Sequence, residues 1–504
     1  EYVQPGSALD DEARSRGCTI YLPDRAIPML PAALAADLCS LLPEQERLCV
    51  CVIADLDAEA NLEHFEIVEG LMRSQAMLTY GGVARTLGFT ETGPVSAQAE
   101  GFKKGLRVLD ELARKLRKRR MNRGALDLDL PEARVVLDPE TGAPIDVARR
   151  AQDPGVKRAY SMVEELMLLA NETVARYLAQ KKSPAIYRIH AKPDEKKLER
   201  LGLVARKLGV EIDLESLAEA RGVSRWLAKI QRHPRKGVLE MLLLRSLKQA
   251  VYDVTNVGHF GLASEAYVHF TSPIRRYPDV EIHRAVKRLV RGGKPETSAA
   301  ALEALQTSAN RSSTRERAVM EIEREVVDLC RALIMRERIG DVLEGTVSAL
   351  TGTGAYVSLD APFVDVLVRF EAMGPDRYET GDDEISVVGS RSGDVIALGD
   401  RMVVAIDDVA ILRRTVYARR VVPEAILRKY EANAPESQRG RGGDRRRGPP
   451  GKAPQDRRRG GEWRGGEQSG RGDRHRGGRD RAGRKQGPGG QGGRGGRGGG
   501  KGRR

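Results

Sequence analysis

Aromatic residues are scarce in this chain of 504 residues, where they make up 4% and only two are Trp. An aromatic ring in a polar stretch is therefore a candidate for stacking on a ligand. Long apolar runs are missing as well. Because no stretch of about 18 apolar residues occurs, we expect neither a transmembrane helix nor a membrane partner.

Cysteine is also rare, with five residues, an odd number, and no C-x-x-C pair. This spacing does not supply the four ligands of a structural zinc site, and an H-E-x-x-H pattern is missing too. We expect free, buried thiols in a reducing compartment. The chain begins at Glu1 without a charged and then apolar leader, which predicts a cytoplasmic protein.

The formal net charge of +14 is concentrated at one end of the chain. Residues 439–504 contain 22 Lys and Arg against 6 Asp and Glu, so the remainder is nearly neutral. The segment 423–504 is rich in Arg and Gly, and we predict a disordered basic tail. Such a tail binds RNA through phosphate attraction and guanidinium stacking. A solubilising tail without a specific partner is the alternative.

The rest of the chain divides by pattern into two parts. Residues 339–422 contain short alternating segments separated by turn residues, which predicts a small all-β barrel. A helical pattern precedes the barrel at about 299–338. The first 338 residues mix helical patterns with two apparently paired strands and predict one large α+β domain.

The stretch "HFTSPIRRYPD" places two adjacent arginines, Arg275 and Arg276, in an apolar and aromatic setting. The planar guanidinium fork matches phosphate oxygens, and the prolines on either side stiffen the backbone. We expect Asp279 to be the N-cap of a following helix. The alternative is that both arginines pair with carboxylates or face solvent.

Other candidates are aromatic or histidine side chains. Tyr21 lies among proline-containing turns and is a possible platform for a nucleobase, although a core position is the alternative. His259 and His269 are possible ligands or bases. Packed and hydrogen-bonded histidines are the alternative for this pair.

Several motifs together resemble the RNB catalytic domain of the RNase II and RNase R family. They are "YLPDRAIPMLP", "RGALDLDLPE", "VEELMLLAN" and "GHFGLASEAYVHFTSPIRRYPD", in collinear order over about residues 1–338. The predicted barrel resembles an S1-type OB-fold. The resemblance implies an α+β RNB domain, an all-β S1 barrel and a disordered tail. It also implies processive 3′-to-5′ hydrolysis of RNA to nucleoside 5′-monophosphates with Mg²⁺.

The resemblance also assigns roles by motif. Arg275 would hold the scissile phosphate and stabilise its developing charge, and Arg276 would contact the substrate beside it. Tyr21 would stack on the 3′-terminal nucleotide, and Glu164 would bond its sugar hydroxyls. Tyr80 would line the site.

The sequence departs from the family pattern in places that affect substrate contacts. Leu128 stands where some relatives have a Phe that clamps the terminal base, so we expect one-sided stacking. In the barrel, Tyr356 and Phe370 keep stacking surface for RNA, and Arg369 adds charge. RNA affinity would therefore depend more on charge and on salt concentration.

The departure that bears on chemistry concerns the metal. The family binds Mg²⁺ with spaced aspartates that precede the Tyr21 motif, and this chain supplies none of that pattern. We reject Asp10 and Asp11 as the pair, since their context resembles a later segment, and expect that the RNB domain lacks its N-terminal part here. Two hypotheses follow: an exoribonuclease, or a non-catalytic protein that binds RNA 3′ ends. We expect a monomer, with ribosomes or RNA-decay proteins as further partners of the tail.

Overall fold

The computed structural model describes residues 2–128, 132–149, 153–381 and 385–433. Its first part mixes helices with short antiparallel strand pairs. The helices are α1 (Ala8–Arg16), α2 (Tyr80–Leu87), α3 (Ala97–Gly101), α4 (Lys103–Arg123), α5 (Pro154–Gln180), α6 (Glu195–Lys207), α7 (Leu214–Leu217), α8 (Ala220–Ile230), α9 (Lys236–Ser246), α10 (Tyr277–Val290) and α11 (Ala299–Arg336). The strands are β1 (Ile20–Tyr21), β2 (Ala26–Ile27), β3 (Glu46–Leu56), β4 (Leu62–Arg73), β5 (Ala133–Leu137), β6 (Pro144–Arg149), β7 (Tyr187–Ile189) and β8 (Val251–Asp253).

Helix α5 organises the first part. It begins at Pro154, whose missing N–H costs nothing at a first turn, and the Asp153 carboxylate accepts the N–H groups of Gly155 and Val156. Its apolar face packs with β4 and α10 around buried residues such as Leu178 and Ile282. The strands β3 and β4 pair over their whole length as an antiparallel ribbon beside this core.

The end of α4 depends on a glycine. Gly124 adopts φ +105°, and a Cβ atom there would lie 2.6 Å from the backbone nitrogen of Arg221. A larger residue would therefore be strained and would clash with α8. Two residues further on, the Leu126 N–H donates to the Gly261 carbonyl at 2.9 Å. The turn thus joins the "RGALDL" segment to the "GHFG" segment.

The later part of the chain is a closed barrel with strand order β10-β11-β16-β15-β9. A three-stranded sheet of β12, β13 and β14 is inserted between β11 and β15. The elements are β9 (Val342–Thr351), β10 (Gly354–Leu359), β11 (Asp365–Arg369), β12 (Tyr378–Thr380), β13 (Ser386–Gly389), β14 (Val395–Ala397), β15 (Arg401–Ala410), β16 (Thr415–Arg420) and α12 (Glu424–Ala432). Alternate residues such as Val347, Val357 and Val404 fill the barrel.

The long helix α11 connects the two parts. It contacts α1, α10 and β1 of the first part and β15 and β16 of the barrel. None of the helices in the described residues is long and apolar enough to cross a membrane. All five cysteines are free thiols, in accord with the expectation, but each is only partly buried.

The α+β fold with a β-barrel toward the C-terminus is confirmed, as are the paired strands 46–73 and the helix that precedes the barrel. The expected N-cap is wrong. Helix α10 begins at Tyr277, so Asp279 is its third residue rather than its cap. Asp279 is instead fully buried, and its carboxylate pairs with Arg276. The start of the predicted disordered tail, 423–504, is wrong, because Glu424–Ala432 form the helix α12. The rest of that prediction, from residue 434 onward, lies outside the described residues.

Candidate active site

Two distant segments meet in a short backbone ladder at the site. The Tyr277 N–H donates to the Gly17 carbonyl at 2.9 Å, and the Thr19 N–H donates to the Arg275 carbonyl at 3.1 Å. Since Tyr21 follows two residues after Thr19, the ladder brings the Tyr21 strand beside the arginine turn. Sequence reasoning assigned both segments to one site, and the fold brings them together.

The two adjacent arginines have different surroundings. Arg276 donates from Nε to Asp279 Oδ2 at 2.8 Å and from a terminal nitrogen to Oδ1 at 2.7 Å. Asp279 is fully buried and also accepts the Ser272 N–H at 2.7 Å. Burial alone would lower the pKa of Arg276, but the charge of Asp279 raises it, so the group stays cationic.

Arg275 is exposed, and its guanidinium has no hydrogen bond or ion pair to the part of the chain that the structure describes. Its backbone is fixed by the ladder and by its N–H, which donates to the Ser272 carbonyl at 3.2 Å. Neither alternative reading of the pair holds for both residues. Arg276 stabilises the fold through its ion pair with Asp279. The guanidinium of Arg275 is exposed, and its hydrogen-bond donors have no partner among the described residues.

Tyr21 is 52% exposed, so its ring is accessible. Its N–H donates to Glu323 Oε1 of α11 at 2.7 Å. This carboxylate holds the strand end without covering the ring. Sequence reasoning missed Glu323, because its charge pattern is that of any exposed helix face and only the long-range contact reveals it.

Glu164 and Glu165 are adjacent on α5 and have different roles. Glu165 is buried and accepts from Arg120 at 2.6 Å, which ties α5 to α4. The Glu164 side chain is 53% exposed and lies 3.7 Å from the same guanidinium. Glu164 is therefore available to a ligand, and its assigned role stays a prediction.

The remaining predicted contacts are dispersed. Tyr80 stacks on Tyr160 with ring centroids 3.7 Å apart, so one of its faces is already covered. Phe370 packs partly against the barrel core, and Tyr356 is half-buried on β10. Arg369 stacks over the Tyr417 ring at 4.2 Å. The barrel residues belong to a separate surface from the ladder.

The histidines of the "GHFGLASEAYVHF" segment lie in a packed column of rings. His269 Nδ1 lies 2.9 Å from the Tyr252 hydroxyl, and the His259 ring meets the Tyr267 ring edge-on at 5.5 Å. Burial, assisted by His190, lowers the pKa of His259 to about 3. His259 is therefore neutral at physiological pH, and the packed alternative describes these side chains.

The acidic residues nearest the arginine turn are already engaged. Asp279 binds Arg276, and the buried Asp10 accepts from Arg14, Arg284 and Tyr277. Within the described ranges, no group of three or more His, Cys, Asp or Glu residues could hold a metal ion. The residues present here do not fit a Mg²⁺ site.

Residues 1–292 match the family model for the RNB domain. The chain belongs to the RNB domain family. Tyr21, Tyr80, Glu164, Arg275 and Arg276 all lie within the matched range, whereas the barrel lies outside it.

Curated relatives of this RNB-family chain include ribonuclease R from Escherichia coli (strain K12), 35% identical over 82% of this chain and 51% of the relative. Ribonuclease R from Aquifex aeolicus is 36% identical over 80% of this chain and 56% of the relative. The chain thus spans about half the length of these relatives. Mycoplasma genitalium RNase R, solved with ribose-methylated single-stranded RNA, is similar at TM-score 0.76 and 27% identity. This likeness covers 83% of this chain and 65% of that one.

Proposed function

We propose that this RNB-family chain belongs to a processive 3′-to-5′ exoribonuclease of the RNase R type, which releases nucleoside 5′-monophosphates. The observation that carries the proposal is the exposed Arg275 guanidinium, without an ionic partner in the described residues, on a backbone fixed beside Tyr21. A rigidly held guanidinium binds phosphate through paired hydrogen bonds. It stabilises charge that develops on the phosphate oxygens during cleavage.

The neighbouring residues bind different parts of the RNA 3′ end. The accessible Tyr21 ring stacks on the terminal base, and the exposed Glu164 carboxylate accepts hydrogen bonds from sugar hydroxyls. Arg276 supports the turn by binding Asp279 and adds positive potential rather than a direct contact. Tyr80, stacked on Tyr160, forms a side wall for the substrate. RNA is bound in the relative from Mycoplasma genitalium, which agrees with this substrate class.

The domain assignment is part of the proposal. Residues 1–338 form the RNB catalytic region, 339–422 an S1 OB-fold barrel that binds RNA through Tyr356 and Phe370, and 423–504 a basic tail. We place the enzyme in the cytoplasm as a monomer, with RNA as its principal partner. Mg²⁺ is the metal proposed for the family reaction, and the described residues contain no group of three or more side chains that could hold it.

A time course with 5′-labelled single-stranded RNA tests the proposal. The full chain is incubated with RNA and Mg²⁺, with a chelator control, and the products are resolved by length. A chelator-sensitive ladder that shortens from the 3′ end supports the proposal. Tight binding by this chain without shortening agrees with the lack of a Mg²⁺ site in the described residues and favours the second candidate, a non-catalytic RNA 3′-end-binding protein. That candidate is favoured by the acidic residues at the arginine turn, which already bind Arg and Tyr side chains.

The role of Arg275 is tested in any form of the protein that shortens RNA. Arg275→Ala should lower kcat by about 10²-fold, the usual effect of removing one donor to a developing charge. The dissociation constant for RNA should change much less. Arg232→Ala is the matched control, because Arg232 is also exposed and lies outside the site. Equal losses in kcat and in RNA affinity would contradict the assigned role.

A further inference from the structure

A buried phenol lies two residues after Arg275. The Tyr277 ring is completely buried, yet its hydroxyl contacts four charged side chains. The hydroxyl oxygen lies 2.8 Å from Asp10 Oδ1 and 2.9 Å from Glu281 Oε1. It accepts from Arg14 Nε at 3.0 Å and from an Arg284 terminal nitrogen at 3.2 Å. This is an unusual concentration of charge around one neutral group in the interior.

Asp10 is the centre of the same cluster. It is fully buried, and besides the phenol it accepts from Arg284 at 2.6 Å, from Arg14 at 2.9 Å and from the Gly6 N–H at 2.9 Å. Two carboxylates and two guanidinium groups balance, so the cluster is electrically neutral. Burial alone would raise the pKa of Asp10, but these hydrogen bonds lower it overall. A cluster of this kind is costly to rearrange, because any missing partner leaves a buried charge unpaired.

The cluster joins the two segments that form the site. Asp10 and Arg14 lie on α1, whose chain continues directly through Gly17 and Thr19 to Tyr21. Tyr277 begins α10, and its own N–H forms the ladder bond to Gly17. Tyr277 is thus fixed at its backbone and at its hydroxyl, so the preceding arginine turn has one orientation relative to the Tyr21 strand.

We propose that Tyr277 and Asp10 are positioning residues, which hold Arg275 in register with the Tyr21 strand without contacting RNA themselves. This inference rests on the function proposed above. Misplacing a catalytic group by about 1 Å costs on the order of 10²-fold in rate, so a fixed turn matters more for kcat than for RNA affinity. Nothing in the sequence pattern indicates the cluster, since Asp10 and Tyr277 are 267 positions apart.

The principal test is Tyr277→Phe, which removes the hydroxyl and keeps the ring. We expect kcat for RNA shortening to fall about tenfold, with KM changed less than about twofold, because substrate contacts remain and only register is lost. The decisive comparison uses the Arg275→Ala background. If Tyr277 acts through Arg275, Tyr277→Phe causes no further loss there. A full tenfold loss in both backgrounds would overturn the proposal.

Tyr378→Phe is the matched control. Tyr378 is also buried, and its hydroxyl donates to Asp394 at 2.8 Å beside Arg420, but this cluster lies in the barrel region. The control should leave kcat unchanged. If Tyr277→Phe does not fold, Glu281→Gln takes its place, since this side chain is at the cluster rim and the change is nearly isosteric. The same direction and the same lack of effect in the Arg275→Ala background are expected.

Amide hydrogen exchange provides a readout that does not require nuclease activity. Tyr277→Phe should speed exchange in peptides that contain Thr19 and Tyr277, whose N–H groups form the ladder, and leave barrel peptides unchanged. Tyr378→Phe should do the reverse. If no form of the protein shortens RNA, the proposed function fails, while exchange still decides whether Tyr277 fixes the ladder. Unchanged exchange at Thr19 would overturn the positioning role in either case.

Discussion

Arg276 and Asp279 form a bidentate ion pair across one turn of the chain, with N–O distances of 2.8 and 2.7 Å. The neighbouring Arg275 has no such partner in the described residues. This ion pair turns the Arg276 guanidinium inward, whereas the Arg275 guanidinium faces solvent. Arg276 is therefore committed to the fold, and Arg275 is left exposed.

The different surroundings of Arg275 and Arg276 predict unequal effects on stability. Arg276→Ala leaves the buried Asp279 without its cation and should lower the free energy of unfolding by about 3–5 kcal/mol. Arg275→Ala removes an exposed side chain and should change it by less than about 0.5 kcal/mol. Urea unfolding followed by circular dichroism measures both. Similar losses for the two variants would contradict the assignment.

The adjacent glutamates of α5 should also differ. Glu165→Gln weakens a buried pair with Arg120 and should destabilise the protein by a few kcal/mol, because the buried guanidinium keeps only the more distant and exposed Glu164 carboxylate. Glu164→Gln alters an exposed group and should leave thermal stability unchanged while weakening binding to an RNA 3′ end. Thermal unfolding tests the predicted stability of both variants. Fluorescence anisotropy with labelled RNA tests the predicted loss of RNA binding in Glu164→Gln. A greater thermal loss for Glu164→Gln would reverse the roles.

The packed histidine column predicts a pH effect. The pKa of His259 is about 3 in the folded protein, well below its value of about 6.5 in an unfolded chain. The unfolded state therefore binds a proton first, and this contribution to stability is complete above about pH 6.5 and is lost as pH falls toward 3.

The variant His259→Gln isolates this effect. Between pH 7 and pH 5, wild type should lose about 1–2 kcal/mol more free energy of unfolding than the variant does. His64→Gln serves as the control for the loss of an exposed imidazole, because the His64 side chain is 73% exposed. An unaltered pH dependence in His259→Gln would mean that the ring is not buried in its neutral form.

The basic tail predicts a salt effect. Removing the chain from Gln438 onward deletes a charge of +16, which is more than the net charge of +14 of the whole sequence. RNA affinity should fall, and the slope of log affinity against log salt concentration should become shallower, because fewer counterions are released. Anisotropy titrations at several KCl concentrations measure both. Identical slopes for the full and shortened proteins would exclude the tail as an RNA contact.

The local sequence pattern predicted the helices and strands of this fold better than it predicted which residues contact each other. The alternation in β3 and β4 and the apolar spacing in α11 are properties of neighbouring residues, so both were recognisable from the sequence. The start of α10 was placed at Asp279 because an acidic residue before a helical run is a good cap. The structure instead gives that carboxylate to Arg276, a stronger partner, and begins the helix two residues earlier.

The site shows the same limit. Motif resemblance selected Arg275 and Tyr21, and the fold brings their segments together. It also chose Arg275 over Arg276 and Glu164 over Glu165 by motif position alone. The physical reason for each choice lies in a partner such as Arg120, which is remote in sequence. Asp10 drew attention only as a rejected metal ligand. Its contacts to Tyr277 and Arg284 come from helices that only the folded chain brings together.

The helix α11 has a mechanical consequence. Its Glu323 holds the Tyr21 strand, and its Glu325 pairs with Arg414 of the barrel at 3.1 Å. Positions two apart on a helix point about 200° from each other, so a single turn is clamped from nearly opposite sides. The same turn of α11 therefore binds both the Tyr21 strand and the barrel. Loosening this turn of α11 would therefore release both the Tyr21 strand and its ionic contact to the barrel.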